Sequence, residues 1–315
     1  MAILGVSADI LEFPVSLLNA KQIWYRTAKS GLRAPLTRVR HWGLDGTDAF
    51  IASYPRSGNT WLRFLMFEIL TAGSAGFEEV NHVVAEVGLH GPARPVLPGR
   101  GRLVKTHEPY HKQYKKAIYL VRDVRDVVLS EFAYQKALGW IPDDFDGFLQ
   151  RFLNGEVNPF SAWHEHVSGW MNSPLASTPN LLLIKFEELR KNTNSVVTQV
   201  VDFLGVDVSP QTIVEAIANN TVQKMQEKEH RTPQLGATAP KANLGQESRF
   251  IRSGSIGGWR ARLSPQQLHQ IEGVTANMLI HMGYSVGDPE SQGLVQSSSP
   301  RQTSVPQTLG QHTGS

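Results

Sequence analysis

The chain has 315 residues, of which 31 are Lys or Arg and 28 are Asp or Glu, so its net charge is +3. This nearly balanced charge does not by itself indicate a nucleic-acid-binding protein, and no nucleic-acid partner is expected. Because the sequence contains no cysteine, it excludes disulfide bonds, thiolate metal ligands and a cysteine nucleophile.

The two ends of the chain differ in composition from its middle. Residues 1–45 include a basic stretch from Lys21 to Arg40 and are expected to form an N-terminal extension packed on the domain. The start of the chain lacks the basic residues of a signal peptide, and no apolar run reaches the ~18 residues of a membrane span. We therefore expect a soluble, cytoplasmic protein. Residues 286–315, rich in Ser, Gln, Gly and Thr, are expected to be a disordered tail.

Between these ends, short apolar runs alternate with helical patterns. Strands are predicted at 49–52, 102–105, 117–121 and 181–184, and helices at 61–70, 124–138 and 194–204. Apolar strands that alternate with helices are typical of a parallel sheet covered by helices on both faces. The sequence thus predicts an α/β fold with a P-loop-like, three-layer α/β/α domain over 46–285, in which ligands bind at the carboxyl ends of the strands.

Two later helices carry clear start signals. Ser209-Pro210 and Ser264-Pro265 each place a capping hydroxyl before a proline in the first helical turn. The second of these helices is expected to end at Gly283. Between them, residues 226–248 are polar and rich in charge, Gly and Pro, which indicates a long loop that is either a lid or a disordered segment.

The stretch SYPRSGNTW (53–61) lies between the first strand and the first helix. In such a unit the backbone N–H groups of the turn at Gly58 and the helix dipole attract an anion. Arg56 can bridge two anionic oxygens with its planar fork, and Ser57 and Thr60 can donate hydroxyl hydrogen bonds. The stretch lacks the Gly-Lys-Ser/Thr ending of a nucleoside-triphosphate loop. An ordinary capped turn is the alternative at this point.

The stretch VKTHEP (104–109) places two candidate catalytic residues at the end of the second strand. The neutral imidazole of His107 can accept a proton near neutral pH, and Lys105 can neutralise charge on a transferring group. The alternative is a surface turn with solvated side chains.

Two further stretches are candidate anion sites. Arg122 ends the third strand and Ser130 lies further along the next helix, so the pair can bind a second anion. The glycine-rich FIRSGSIGGW (250–259) offers backbone amides near Gly254 to a phosphate. The alternatives are a local ion pair between Arg122 and Asp123, and a flexible linker.

Taken together, these stretches resemble, in the same order, the sulfotransferases that use 3′-phosphoadenosine 5′-phosphosulfate (PAPS). SYPRSGNTW resembles their phosphosulfate loop, and IYLVRDVRDVVLSEF (118–132) resembles their 3′-phosphate motif. VKTHEP resembles the segment with their catalytic base, and FIRSGSIGGW resembles their late Arg-x-Gly-x-x-Gly-x-Trp motif. SAWHEHVSGWM (161–171) and LLLIKFEEL (181–189) are similar to a helix and a strand–helix element of the family. The resemblance covers residues 47–285 and implies the sulfotransferase fold.

The resemblance also implies a reaction and residue roles. The expected reaction is in-line transfer of a sulfuryl group from PAPS to a hydroxyl of a small-molecule or lipid-like acceptor, without a metal ion. The implied catalytic residues are His107, Lys105 and Arg56. The resemblance also implies the residues that bind the donor. Those at its 5′ end are Arg56, Ser57, Gly58, Asn59 and Thr60, with Trp61 at the adenine. Those at the 3′-phosphate are Arg122, Ser130, Arg252, Ser253 and Gly254, and Phe186 is a further donor-binding residue.

The chain departs from the family pattern at several of these positions. Arg56 replaces a lysine, Asn59 a frequent threonine, Phe186 the usual tyrosine, and Val222 an aromatic residue that often flanks adenine. Two other functions stay open: an ATP-dependent P-loop kinase, which the missing Gly-Lys-Ser/Thr disfavours, and an inactive nucleotide-binding protein of the same fold. The aromatic residues Phe145, Phe148, Trp163 and Trp170 line an acceptor pocket or fill the core, and core is favoured for most of them.

Overall fold

A computed structural model describes residues 33–231, 251 and 254–287. The strands in these residues are β1 (Ala49–Ser53), β2 (Leu103–Thr106), β3 (Ala117–Val121) and β4 (Leu181–Lys185). The helices are α1 (Arg33–Arg40), α2 (Asn59–Thr71), α3 (Glu79–Val83), α4 (Val124–Ala137), α5 (Phe145–Leu153), α6 (Trp163–Met171), α7 (Phe186–Lys191), α8 (Thr193–Leu204), α9 (Pro210–Asn219), α10 (Val222–His230) and α11 (Pro265–His281). Each predicted strand is present to within one residue at either end.

The strands form one parallel sheet in the order β2-β1-β3-β4. In the register of the sheet, Phe50 of β1 pairs with Val104 of β2 and with Ala117 of β3. The chain extends from β1 to β2 on one side and then crosses to β3 on the other side. Open α/β sheets bind ligands at such a reversal, outside the carboxyl ends of the strands, which here are the ends of β1, β2 and β3. The predicted parallel α/β sheet is confirmed.

Two hydrophobic cores cover the two faces of the sheet, because successive side chains of a strand point to opposite faces. Ile51 and Ile118 belong to the core built with α2, α8 and α9. Phe50 and Tyr119 belong to the core built with α4, α5, α6 and α11. Every residue of β1 and β3 is buried, which explains their continuous apolar sequence. The predicted three-layer α/β/α architecture is therefore confirmed.

The predicted helix caps are confirmed. The Ser209 and Ser264 hydroxyls accept hydrogen bonds from backbone N–H groups in the first turns of α9 and α11. Gly205 ends α8 in the left-handed conformation, with φ of 72°, as its position predicts. Helix α11 ends at His281 rather than at Gly283.

The loop predicted at 226–248 is wrong for its first residues, which belong to α10. Thr221 caps this helix, and its Met225 is buried. The Lys228 ammonium lies 2.7 Å from a carboxylate oxygen of Glu68 on α2. These tertiary contacts stabilise a helix whose polar composition indicated a loop. Residues 232–250, with the remainder of that loop, lie outside the described residues, as do most of the N-terminal extension and the tail.

Among the helices that the structure describes, none combines the length and the apolar composition that crossing a membrane requires.

Candidate active site

The turn between β1 and α2 has a backbone suited to binding an anion. Arg56 and Gly58 both adopt left-handed conformations, with φ of 68° and 95°. Such a conformation costs a residue other than glycine on the order of 1–3 kcal/mol and is concentrated at functional sites. Ser57 is fully buried, and its hydroxyl has no hydrogen-bond partner among the described residues. A buried hydroxyl of this kind beside the start of a helix fits an anionic ligand.

Phe186 packs directly against this turn. A Cβ atom at Gly58 would lie 2.5 Å from Cδ2 of the Phe186 ring, so only glycine fits there. The guanidinium carbon of Arg122 lies 4.4 Å from the centroid of the same ring, a distance typical of a cation–π contact. Phe186 therefore connects the turn with the end of β3.

Arg56 joins the two predicted anion sites. Its Nε donates a hydrogen bond to the Ser130 hydroxyl on α4 at 3.1 Å. Its carbonyl oxygen accepts one from Nη1 of Arg122 at 3.1 Å. The structure thus brings Arg56, Arg122 and Ser130 together at the adjacent ends of β1 and β3.

The residues that the structure describes satisfy the Arg122 guanidinium only in part. Its Nη2 donates to the carbonyl of Ser255 at 3.0 Å, whereas its buried Nε has no hydrogen-bond partner among the described residues. Burial lowers the pKa of this guanidinium, and the nearby Asp126 and Glu187 oppose that shift. A dehydrated cation with a donor to spare favours an anionic ligand.

Asp126 on α4 holds the late glycine-rich segment in place. Its carboxylate accepts hydrogen bonds from the backbone N–H groups of Gly257 at 2.8 Å and Trp259 at 3.0 Å. Burial raises the pKa of Asp126, and Arg122 and these N–H groups counteract the rise. At Gly254, a Cβ atom would lie 3.9 Å from Phe186, so this residue is at the site. The predicted Arg252 and Ser253 lie outside the described residues.

Asn59 connects the turn to the strand that precedes it. Its side-chain amide donates to the Ile51 carbonyl at 3.0 Å and to the Ser53 hydroxyl at 3.2 Å. Thr60, which follows in the first turn of α2, is half-buried. The contacts of Asn59 therefore stabilise the turn internally.

Trp61 is held at the edge of the site by α9 and α7. Its indole N–H donates to the Asn220 carbonyl at 2.8 Å, and the Arg190 guanidinium lies 5.0 Å from its ring centroid. The half-buried Val222 follows shortly after Asn220. The indole ring and the region of Val222 are thus near each other, as the predicted adenine-binding roles require.

The His107 ring lies beside the start of the same turn. Its Nδ1 is 2.8 Å from the carbonyl oxygen of Ser53. Since a carbonyl only accepts hydrogen bonds, Nδ1 carries the proton in the neutral ring, and Nε2 is the basic nitrogen. The imidazole is therefore in the tautomer that a general base needs.

Helix α6 fixes the backbone of the histidine segment. Nε2 of His166 is 3.0 Å from the His107 carbonyl oxygen, and the Trp170 indole donates to the Glu108 carbonyl at 3.2 Å. The hydroxyl of Tyr119 lies 2.9 Å from Nδ1 of His166. Of the candidate pocket aromatics, Phe148, Trp163 and Trp170 are fully buried, and Phe145 is half-buried. The core interpretation is confirmed for the three buried ones.

Lys105 is paired with a carboxylate that the sequence analysis missed. Its ammonium lies 2.8 Å from an oxygen of Glu86. Residues 85–87 run along the outer edge of β2 and hydrogen-bond to the Lys105 backbone. Burial opposes the ionisation of Glu86, yet Lys105, His107 and Arg40 hold its pKa well below the ordinary value. Glu86 is therefore a carboxylate beside the candidate base.

The remaining missed residues are Ser53, Asp126, Glu108 and Arg40. Asp126 and Glu108 stand inside recognised motifs, but their partners are distant in sequence. The basic stretch ending at Arg40 was the one available signal for a contribution from the N-terminal extension. Within the described ranges, no three His, Asp or Glu side chains are grouped as metal ligands.

The comparison with known proteins identifies the family. A model of the sulfotransferase domain matches residues 46–283. Human sulfotransferase 2B1 is 28% identical over 236 residues, which are 70% of this chain and 62% of that protein. The chain thus spans less than two thirds of this relative. Bovine sulfotransferase 1E1 is 29% identical over 233 residues, which are 68% of this chain and 77% of that protein.

Solved structures share the fold. Mouse sulfotransferase SULT7A1 complexed with PAP superimposes with a TM-score of 0.60 at 22% identity, covering 83% of this chain and 91% of that one. Because the family model matches well over half of the residues, the chain belongs to the sulfotransferase domain family.

Proposed function

We propose that this chain transfers a sulfuryl group from PAPS to the hydroxyl of a small-molecule acceptor. One observation carries this proposal: Arg56 contacts both Ser130 and Arg122, and the His107 ring lies where the same turn begins. A nucleotide with anionic groups at its two ends matches two adjacent cationic sites, and a base beside them matches an acceptor hydroxyl.

The described residues fit the donor. The buried hydroxyl of Ser57 and the buried Nε of Arg122 lack hydrogen-bond partners among the described residues, and an unmade buried hydrogen bond costs about 1–3 kcal/mol. We assign Ser57, Gly58 and Thr60 to the 5′ end, and Arg122 with Ser130 to the 3′-phosphate. Arg252 and Ser253 are proposed to join the latter site with Gly254.

Three side chains differ in what they contribute to donor binding. Arg56 points its Nε toward Ser130, so we assign its side chain mainly to the 3′-phosphate. Trp61 is assigned to bind the adenine. Phe186 is assigned to pack against the turn at Gly58 and against the Arg122 guanidinium. Asn59 acts through the turn, because its amide donates to Ile51 and Ser53.

The acceptor side uses His107 and Lys105. The donor supplies the activated sulfuryl group. Nε2 of His107 removes the proton from the acceptor hydroxyl, while the Ser53 carbonyl keeps Nδ1 protonated and orients the ring. Lys105 stabilises the negative charge that develops on the transferring group. With the Arg56 side chain directed at Ser130, Lys105 carries more of this role than in family members with a lysine in the loop.

The acceptor is proposed to be a hydroxyl-bearing, lipid-like compound. Retinol dehydratase, crystallised with androsterone and the inactive cofactor PAP, has a TM-score of 0.62 to this chain at 22% identity and covers 82% of it and 88% of that structure. That ligand guides the choice of probes. A cytoplasmic location is part of the same proposal and is tested by cell fractionation.

The test incubates the full chain with PAPS and single acceptors, namely 4-nitrophenol, androsterone and retinol, and detects added sulfate by mass spectrometry. Sulfated product together with PAP supports the proposal. Transfer from ATP and Mg²⁺ in place of PAPS would establish the kinase alternative. PAP binding without transfer to a wider panel of alcohols and phenols would indicate the inactive nucleotide-binding protein.

A further inference from the structure

Arg40 lies outside the region that the family model matches, yet it contacts the candidate active site. It is the last residue of α1, and the family match begins at residue 46. Its Nε donates to a carboxylate oxygen of Glu108 at 2.9 Å, and its Nη2 lies 3.8 Å from an oxygen of Glu86. Both carboxylates are adjacent to groups with proposed roles: Glu108 follows His107, and Glu86 pairs with Lys105.

These four side chains, Arg40, Glu86, Lys105 and Glu108, form what we call the charge quartet. Two cations and two carboxylates alternate, so the quartet is neutral. Glu108 is buried, with 4% of its surface exposed, and Lys105 is 9% exposed, whereas the side chains of Arg40 and Glu86 are 20% and 34% exposed. The ion pair between Arg40 and the buried Glu108, at 2.9 Å, therefore interacts more strongly than it would in water. Without Arg40, Glu108 would lose this cation, and the remaining three groups would carry a net negative charge beside His107, where the proposed function requires an anionic sulfuryl group to approach.

The end of α1 is fixed in place by a second set of contacts. Nε2 of His41 lies 2.6 Å from the hydroxyl of Tyr114, which lies 3.3 Å from the hydroxyl of Thr106. The Thr106 hydroxyl in turn accepts a hydrogen bond from the backbone N–H of Glu108 at 3.0 Å. The end of α1 is thus connected to both neighbours of His107 in the chain, to Glu108 through the side chain of Arg40 and to Thr106 through that of His41.

The chain also leaves space for the Arg40 side chain. A Cβ atom at Gly88 would lie 3.0–3.2 Å from three atoms of Arg40. Gly88 adopts a φ of +93°, which favours glycine in any case. Arg40 therefore passes closely over the backbone next to Glu86.

From these contacts we propose that Arg40 is a positioning residue of the reaction and that the end of α1, with His41, completes the active site. Arg40 balances Glu86 and Glu108, so that Lys105 faces the transferring group and His107 keeps its orientation. This inference rests on the proposed sulfotransferase function. Arg40 acts through its neighbours and is not assigned any contact with the donor or the acceptor.

The test compares Arg40→Gln, Arg40→Lys and the control Arg38→Gln. Arg38 lies on the same helix and is exposed. Its substitution by Gln removes the same charge as Arg40→Gln at an exposed position of the helix. For Arg40→Gln we expect kcat to fall by about 10- to 100-fold, the size of effect that misplaced reacting groups cause. The KM for the acceptor and the Kd for PAP should change little, whereas the Tm should fall because the buried Glu108 loses this cation. Arg40→Lys should recover part of both kcat and Tm. Unchanged kcat, or an equal loss of PAP affinity, would overturn the proposal.

A second readout separates this inference from the proposed function. Hydrogen exchange of residues 103–110 is measured by mass spectrometry on the full chain, both without nucleotide and in the presence of PAP. Exchange should be faster in Arg40→Gln than in Arg38→Gln and should return toward wild type in Arg40→Lys. Equal exchange in all variants contradicts the positioning role. If the wild-type chain sulfates no acceptor, the proposed function fails, but this readout still decides whether Arg40 orders the histidine segment.

Discussion

The two ends of the candidate active site differ in how their charges are paired. We refer to the end at Arg122 as the proposed donor side and to the end at Lys105 and His107 as the proposed acceptor side. On the proposed donor side, Arg122 donates to two backbone carbonyls, and among the described residues its Nε has no hydrogen-bond partner. On the acceptor side, Lys105 and Arg40 each pair with carboxylates. A site that must bind an anionic nucleotide benefits from excess positive charge. A site that must move a proton benefits from a balanced set of charges around the base, because excess charge of either sign shifts its pKa.

The substitution His107→Ala should give the largest effect, and it should lower kcat without changing nucleotide binding. Loss of a general base costs about 10²- to 10⁴-fold, so we expect kcat to fall by that factor. Calorimetry should find the PAP affinity unchanged, since His107 lies on the acceptor side. An equal loss of kcat and PAP affinity would show that the two sides are not independent.

Arg122→Gln should weaken nucleotide binding more than it lowers kcat, the reverse of the effect expected for His107→Ala. Hydrogen bonds to charged groups contribute about 1.5–3 kcal/mol, so we expect PAP to bind roughly 10- to 100-fold more weakly, with a smaller effect on kcat at saturating PAPS. Arg260, exposed on the late segment, provides the matched control Arg260→Gln. If both variants bind PAP equally well, Arg122 does not bind the nucleotide.

The two sides of the site also differ in how much of them could be predicted from the sequence. The strand ends, the turn and the Arg122–Ser130 pair were predicted because each is encoded by contiguous residues whose local structure is set by strand, turn and helix patterns. The neutral charge quartet was not predicted. Glu86 reaches Lys105 from an irregular segment docked on the edge of β2, and Arg40 reaches Glu108 across a sequence separation of 68 residues.

The misjudged start of the polar loop has a related cause. Residues 226–230 were predicted to begin a polar loop that extends to 248, yet they form the second half of α10. The decisive contact is between Lys228 and Glu68, together with the buried Met225. A polar composition indicates that most side chains of a segment are in solvent. It does not show whether a few of them make the tertiary contacts that stabilise a helix.

A smaller effect, on stability, is expected for Gly58→Ala. The added Cβ would meet Phe186 at 2.5 Å, and the residue would be held at a φ of +95°. We expect the free energy of unfolding, measured in urea, to fall by about 1–3 kcal/mol. The control is Gly169→Ala on α6, where nothing lies within 4 Å of the added atom. Alanine should be neutral or stabilising there by about 0.5–1 kcal/mol. Equal stability of the two variants would contradict the close packing of the turn on Phe186.

The smallest effect concerns pH. Burial lowers the pKa values of His41, His90 and His111 from the ordinary 6.5. Below this value the unfolded chain therefore binds protons that the folded chain does not, and stability falls as the pH falls. Urea unfolding at a series of pH values below 6.5 should give decreasing free energies, with a shallower slope for His111→Gln. A profile in which the free energy of unfolding stays flat or rises as the pH falls would contradict the lowered pKa values of these three histidines.

The most direct test of the account is calorimetry of the wild-type chain with PAP and with 5′-AMP, which lacks the 3′-phosphate. If the turn and the Arg122–Ser130 site bind opposite ends of one nucleotide, PAP binds far more tightly than 5′-AMP, and Arg122→Gln removes most of that difference. Equal affinities for the two nucleotides, or no heat with either for folded protein, would contradict it.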